Sequence, residues 1–465
     1  MMNLLKEKEI YTVTITANTE TGDGVCRIDD FAVFVAGAAA GDTLEIEITK
    51  VKKSYAFARI LRIVTPSIHR VEPFCKAFPK CGGCQLAHLS YSYQLEMKQQ
   101  IVTDALRRLG HLDLSDAEVF PTLGMDEPQR YRNKMVFPIG YKADGRLVGG
   151  FYAAKSHHII ALSDCALGAQ AASEMLSAVV RYMKENKVSA YDETTHKGLV
   201  RRLFVRTGTH SGEMMAVISV NGTRLPEEKK LVEALCSVQS DFTLSSIVLN
   251  SNTEKNNLVL GAKNRTLYGK ATISDTLSGL SFDISPNSFY QVNPQQTERL
   301  YETAVRFAGL TGAETVLDLY CGIGTISLCA AKSAARVIGV EIVAQAIADA
   351  KENAARNHIK NAEFYTGSAE DISEKLLSEG LSPNVIFIDP PRKGSDEKTL
   401  SAMLSMRPEK IVYVSCNPAT LARDASILTA GGYQIKKVQP VDMFPHTGHV
   451  EAVVLLQQLS LPCGK

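Results

Sequence analysis

The chain has 465 residues, 45% of them hydrophobic and 22% charged, with a formal net charge of +1. That length is too great for one compact core and predicts two to three domains, while no apolar run reaches the roughly 20 residues of a membrane-spanning helix. Residues 1–9 include acidic side chains and no apolar leader, so a cytoplasmic protein is expected, with no membrane contact and a monomer as the default.

A balanced total charge does not exclude nucleic acid, because binding needs only a local basic stripe. Two candidate stripes are Lys50, Lys52, Lys53, Arg59 and Arg62, and Arg130, Arg132 and Lys134. Each alone reads as an ordinary solvated face. Ten cysteines in a reducing compartment are not disulfides. Cys26, Cys236, Cys321, Cys329, Cys416 and Cys463 are scattered, whereas Cys75, Cys81 and Cys84 are tightly spaced.

Taken in chain order, Ile10-Tyr11-Thr12-Val13-Thr14-Ile15 and Leu44-Glu45-Ile46-Glu47-Ile48 alternate apolar and polar residues, with turns at Gly22-Asp23-Gly24 and Gly41-Asp42. Short strands with turn glycines predict a small β-barrel of the OB type over residues 1–65, a fold that commonly binds single-stranded nucleic acid. The segment resembles a TRAM domain. Pro66 and Pro73 bracket a linker. Residues 94–109 then place Met97, Ile101, Ala105 and Leu109 at helical spacing, closed by Gly110. This helix, within 92–110, is a candidate to pack on the catalytic domain. Residues 66–280 otherwise read as an α+β middle domain, with strand-like 203–206 and 214–218 and helix-like 171–184.

The character changes in 281–465. Buried-strand runs at 315–319, 337–340, 385–388 and 410–414 alternate with helical stretches, which predicts a parallel sheet with helices on both faces. Asp318-Leu319-Tyr320-Cys321-Gly322-Ile323-Gly324-Thr325 follows the first strand, at the carboxyl end where open α/β sheets bind ligands. The loop lacks the third glycine of a dinucleotide fingerprint and the Lys-Ser/Thr of a P-loop. Asp318 would repel a pyrophosphate but suits a cation such as S-adenosylmethionine (SAM). Glu341 ends the second strand, where an acid can accept ribose hydroxyls. Together they read as a class I SAM methyltransferase rather than a dehydrogenase. Asp371 could face the adenine or be an N-terminal helix acid.

Asp389-Pro390-Pro391-Arg392-Lys393-Gly394 ends the fourth strand, its prolines stiffening a turn that holds Asp389 and Arg392 over a flat substrate. Arg392 stands where amino-group methyltransferases carry an aromatic. The next strand ends in Val414-Ser415-Cys416-Asn417-Pro418. Carbon 5 of uracil takes a methyl only after a thiolate adds at carbon 6, and a base must then remove the carbon 5 proton. Cys416 is placed for the first task. Glu451, opening a strand over 450–456, is a candidate for the second, and His449 is a competing base.

The runs Asp-Pro-Pro-Arg-x-Gly, Tyr-Val-Ser-Cys-Asn-Pro-x-Thr and Asp-x-Phe-Pro-x-Thr-x-His-Val-Glu, in this order, resemble the RNA uracil-5-methyltransferase family over nearly the whole chain. The resemblance implies an α/β fold: a Rossmann-like class I SAM methyltransferase domain, a TRAM barrel and an iron–sulfur middle domain. It implies Cys416 as nucleophile, Glu451 as proton acceptor, and Gln291, Tyr320, Glu341 and Asp389 at the SAM site. Taken residue by residue, the loop favours Asp318 over Tyr320, and nothing in the residues themselves points to Gln291.

Cys75-x5-Cys81-Gly82-Gly83-Cys84, closed by Cys165, supplies four thiolates, and spacing alone leaves structural zinc and an iron–sulfur cluster both open. The resemblance implies a [4Fe–4S] cluster, because ribosomal RNA members of the family carry one on this pattern while the tRNA branch lacks these ligands. It therefore implies large-subunit (23S) ribosomal RNA as partner. Phe289 or Tyr290 is a candidate to stack on an extruded base. Two other classes stay in view: a radical-SAM enzyme, which would need Cys-x3-Cys-x2-Cys, and an RNA-binding assembly factor.

Overall fold

The computed structural model describes residues 5–154, 156–256 and 258–459; Cys463 and residues 1–4 lie outside them. The first six strands are β1 (Ile10–Thr14), β2 (Ala17–Asn18), β3 (Gly24–Ile28), β4 (Phe31–Val35), β5 (Thr43–Val51) and β6 (Tyr55–Thr65). They form one sheet in the order β1-β5-β6-β4-β3-β2. The Thr16 N–H donates to Val25 O at 2.8 Å, joining the end of β1 to β3 and curling the sheet on itself. Alternation works as expected: Leu44, Ile46 and Ile48 are buried inside with Val33 and Val35. Outside, Arg59 and Arg62 pair with Glu47 and Glu45 across the strands, so two of the five cations of this basic stripe are locally paired.

After the cysteine-rich loop comes helix α1 (Tyr91–Asp104), which runs into a π-helical turn (Ala105–Leu109) and ends at Gly110. Strand β7 (Glu118–Val119) follows. The central sheet contains β8 (Lys134–Tyr141), β9 (Leu147–Tyr152), β10 (Ile159–Ala161), β11 (Val200–Thr207), β12 (Glu213–Val220), β13 (Thr243–Ser251) and β14 (Lys263–Gly269). Helices α2 (Gln170–Glu185) and α3 (Glu228–Cys236) bury their apolar stripes on one face of it. A hairpin of β15 (Ile273–Leu277) and β16 (Leu280–Ile284) leads into α4 (Pro294–Ala308). Asn293 caps α4 by accepting from the Gln296 N–H at 3.2 Å, and Pro294 presets its first turn.

The last layer alternates strand and helix: β17 (Thr315–Leu319), α5 (Thr325–Ala331), β18 (Arg336–Glu341), α6 (Ala344–Arg356), β19 (Ala362–Thr366), α7 (Ala369–Ser378), β20 (Val385–Ile388), α8 (Glu397–Met406), β21 (Lys410–Ser415), α9 (Pro418–Ala430), β22 (Tyr433–Val441) and β23 (Glu451–Gln458). The sheet order is β19-β18-β17-β20-β21-β23-β22-β7. Within this layer β23 alone runs antiparallel, inserted between β21 and β22. This is the class I methyltransferase topology, with two hydrophobic clusters covering the two faces. Parallel strands buried on both sides must be apolar throughout, which is why Val-Ile-Phe-Ile at β20 carries no alternation.

β7 extends this sheet from far upstream, parallel to β22. Val102, Ala105, Leu106 and Leu114 join the same core as Ile411 and Leu421. Residues 91–123 thus pack with the last layer. A buried ion pair fixes them: Lys98 Nζ meets Asp442, both side chains fully buried. Lys98 also donates to Phe444 O at 3.1 Å, and the Tyr91 hydroxyl donates to Asp442 at 2.8 Å. Among the described residues no helix is long and apolar enough to cross a membrane.

Candidate active site

Two cavities lie by the carboxyl ends of the parallel strands, one reached by Asp389 after β20 and one by Cys416 after β21. One is lined by Gln291, Phe289, Tyr301, Tyr320, Gly322 and Asp389. Three residues implied for the SAM site, Gln291, Tyr320 and Asp389, therefore share a wall. Glu341 sits behind it at the end of β18, where its carboxylate accepts from the Gly322 N–H at 3.2 Å and the Val343 N–H at 2.9 Å. Glu341 thus shapes the glycine loop. Beside it Ile342 and Val343 are exposed apolar side chains, and Phe289 is 69% exposed.

The turn after β17 sends Asp318 and Tyr320 to different places. Tyr320 has φ +65, which swings its ring into the cavity, and its hydroxyl lies 3.3 Å from the Ser395 hydroxyl. Asp318 is fully buried, accepts from the Ser327 hydroxyl, and is raised to about 7 by burial. It lies beneath the loop, bonded to the start of α5, and is not among the residues lining the cavity that Tyr320 lines. Asp371 is exposed in the first turn of α7, whose cap is Ser368, consistent with a helix N-terminal acid. Tyr290 is buried, which leaves Phe289 as the accessible ring.

The second cavity, about 320 Å³, is lined by Cys416, Arg392, His449 and Gln85, and by Glu20 and Thr21 from the barrel. Asp389 and Cys416 follow the neighbouring parallel strands β20 and β21. Cys416 precedes α9, which Asn417 caps by accepting from the Ala419 N–H at 3.1 Å. The Asn417 amide also donates to Arg392 O at 2.9 Å, tying the two loops together. Glu451, at the start of β23, is buried behind the cavity; burial raises its carboxyl to about 7. Burial and the neighbouring Glu451 raise Asp389 to about 8. Burial first, then Glu451 and Asp389, push the Cys416 thiol up, while Arg392 pulls it down. Three potential anions share one cleft, so they cannot all ionise together without a partner. His449 stands at the rim with its ring only partly in water, and partial desolvation, then Arg392 and Lys98, lower its pKa.

Some 300 Å³ of a separate cavity is lined by Cys75, Cys81, Cys84 and Cys165, with Arg132 and Lys134 beside them. None is disulfide-bonded. Burial and the other cysteines raise Cys84 to about 12. Among the described residues no group of three or more His, Cys, Asp or Glu side chains is arranged to hold a single metal ion. Four unpaired thiols around a cavity of this size fit a polynuclear cluster by donor chemistry.

A family model described as tRNA (Uracil-5-)-methyltransferase matches residues 90–459, and one for the TRAM domain matches residues 5–61. An uncharacterized RNA methyltransferase of Halalkalibacterium halodurans is 45% identical over 453 residues, covering 97% of this chain and 98% of that protein. Another, from Listeria monocytogenes, is 46% identical over 454 residues, covering 98% and 99%. Among solved structures, a Pyrococcus abyssi tRNA (uracil-54, C5)-methyltransferase in complex with S-adenosyl-L-homocysteine superposes with a TM-score of 0.77 at 28% identity. It covers 96% of this chain and 100% of that one.

Proposed function

Since the chain belongs to the tRNA (Uracil-5-)-methyltransferase family, we propose that it transfers the methyl group of SAM to carbon 5 of a uridine in 23S ribosomal RNA, with Cys416 as nucleophile and Glu451 as proton acceptor. The observation that carries this reading is the grouping of three side chains: Asp389 lines one cavity, Cys416 lines the other, and the buried Glu451 lies close enough to both to push their pKa values up.

The order of events follows from the charges. The Cys416 thiolate adds to carbon 6 of the uracil, and the ring electrons become an enolate. Carbon 5 then attacks the methyl carbon of SAM, and S-adenosylhomocysteine leaves. Glu451 then takes the carbon 5 proton, which re-forms the enolate, and its electron pair makes the carbon 5–carbon 6 double bond as the carbon 6–sulfur bond breaks to regenerate the thiolate. The N-terminus of α9 and Arg392 favour the thiolate, while a protonated Asp389 removes part of the repulsion that opposes it. Gln291, Tyr320 and Asp389 would hold SAM, with Glu341 keeping the glycine loop in place.

Cys75, Cys81, Cys84 and Cys165 would hold a [4Fe–4S] cluster in preference to zinc. Methyl transfer needs no electron from it, so its contribution is to fold the loop that carries Gln85 to the Cys416 cavity. The barrel and the central sheet would bind the RNA around the target.

The RNA class is separable by experiment. Incubation with methyl-labelled SAM and either 23S ribosomal RNA or tRNA should place label as 5-methyluridine in the ribosomal RNA. The Pyrococcus abyssi likeness makes tRNA the second reading. Label confined to tRNA would overturn the ribosomal target, and label in neither would overturn methyl transfer to these RNAs.

A further inference from the structure

We propose that Gln85 reads the N3–H of the uridine entering the Cys416 cavity and thereby rejects cytidine. This rests on the methyl-transfer reading above and assigns it a base-selecting residue.

Gln85 follows the last cysteine of the Cys-x5-Cys-Gly-Gly-Cys run and lines the same cavity as Cys416. Its Nε2 donates to Gly82 O at 2.9 Å. A carbonyl only accepts, so the amide has one chemically allowed orientation, and Oε1 is left as an acceptor. Among the described residues nothing donates to it. Uridine carries a donor at N3, whereas cytidine carries a lone pair there. Two acceptors facing each other in a desolvated site lose a hydrogen bond and repel.

The backbone of Gln85 is held from two sides, so the acceptor is pre-positioned. Its N–H donates to His446 O at 3.0 Å, in the turn just before Glu451, and the Leu86 N–H donates to the same oxygen at 3.0 Å. On the other side lies the barrel: a Cβ on Gly22, where φ is +82, would stand 2.4 Å from Gln85 O. A Cβ on Gly448 would likewise stand 1.5 Å from Glu20 O. Barrel turn, cysteine loop and catalytic turn therefore interlock through two glycines and leave Gln85 little freedom to retreat. A rigid hydrogen-bonding group discriminates better than a mobile one because ordering it costs nothing on binding.

The test traps the covalent step. RNA with 5-fluorouridine at the target accepts the thiolate and the methyl group, but carbon 5 then has no proton to lose. The thioether persists and appears as a denaturation-resistant protein–RNA band. The wild-type chain should trap 5-fluorouridine and not 5-fluorocytidine. Gln85→Met keeps the side chain's reach without the acceptor; it should trap 5-fluorouridine roughly 10- to 100-fold more slowly and narrow the uridine-over-cytidine ratio by the same factor. A ratio unchanged from wild type overturns the assignment. Should the variant fail to fold, wild-type protein with N3-methyl-5-fluorouridine RNA gives the answer: trapping should be lost, and trapping at the 5-fluorouridine rate overturns it. Wild type trapping neither pyrimidine sinks the methyl-transfer reading itself, and this inference with it.

Discussion

Replacing Glu451 by Gln should stabilise the protein at high pH relative to its effect at low pH. The carboxyl is 5% exposed and raised from 4.5 to about 7 by burial. A native state that binds its proton more tightly than the unfolded chain is favoured in acid and loses that advantage as pH climbs from 4.5 to about 7. At ~1.4 kcal/mol per tenfold, the ionised carboxylate costs about 3 kcal/mol above that window. Gln carries no such cost. Its amide brings a pH-independent offset of ~1 kcal/mol for imperfect hydrogen bonding, which cancels when two pH values are compared. Removing Glu451 also relieves Asp389, in the same direction. Urea or thermal unfolding of both proteins at about pH 4 and about pH 9 should therefore show the variant gaining about 3 kcal/mol between them. A gap of equal size at both pH values would refute the claim that Glu451 is a desolvated carboxylate held for function.

The same values predict that release of 5-methyluridine from the methylated Cys416 adduct quickens with pH through about 7, because Glu451 must be ionised to take the proton; a release rate flat from about pH 5.5 to 8.5 would contradict it. Lys98→Met should destabilise by about 3–5 kcal/mol in denaturant titration, since it strands Asp442 unpaired in a dry core, and a loss under 1 kcal/mol would not fit. Gly448→Ala should expose the joint between barrel and catalytic layer to limited proteolysis and reduce methyl transfer, because the new Cβ would overlap Glu20 O. Cys84→Ser should lower bound iron and visible absorbance in protein purified without oxygen; unchanged iron would rule out the four-cysteine cluster.

The last sheet was legible because its strands are buried on both faces, and nothing but continuous apolar runs satisfies that geometry. Cys416, Asp389 and Glu451 could be placed from sequence for a related reason: each stands at a strand end, where the parallel sheet opens. What failed was orientation. Period-two alternation does not say how the chain turns after β17, and the positive φ of Tyr320, which puts that residue on the cavity wall and leaves Asp318 beneath it, has no sequence signal. Gln291 lies upstream of α4, outside the strand-end pattern, and only the family resemblance pointed to it. Lys98 and Asp442 are paired across 344 residues, and Gln85, Glu20 and Thr21 reach the Cys416 cavity through docking of separate elements. No local periodicity records such encounters. The internal order of the central sheet was unreadable for the same reason, since β12 pairs in parallel with β13 across α3 while its other neighbour is antiparallel.

Convergence of Cys416 and Glu451 on one uracil is the central claim, and peptide mass spectrometry tests it directly. Glu451→Gln protein incubated with SAM and target RNA, then digested with nuclease and protease, should yield the Cys416 peptide carrying a methylated uridine nucleotide. The Cys416→Ala protein should yield neither the adduct nor 5-methyluridine. An adduct on another residue, or 5-methyluridine formed by Cys416→Ala, would contradict the account.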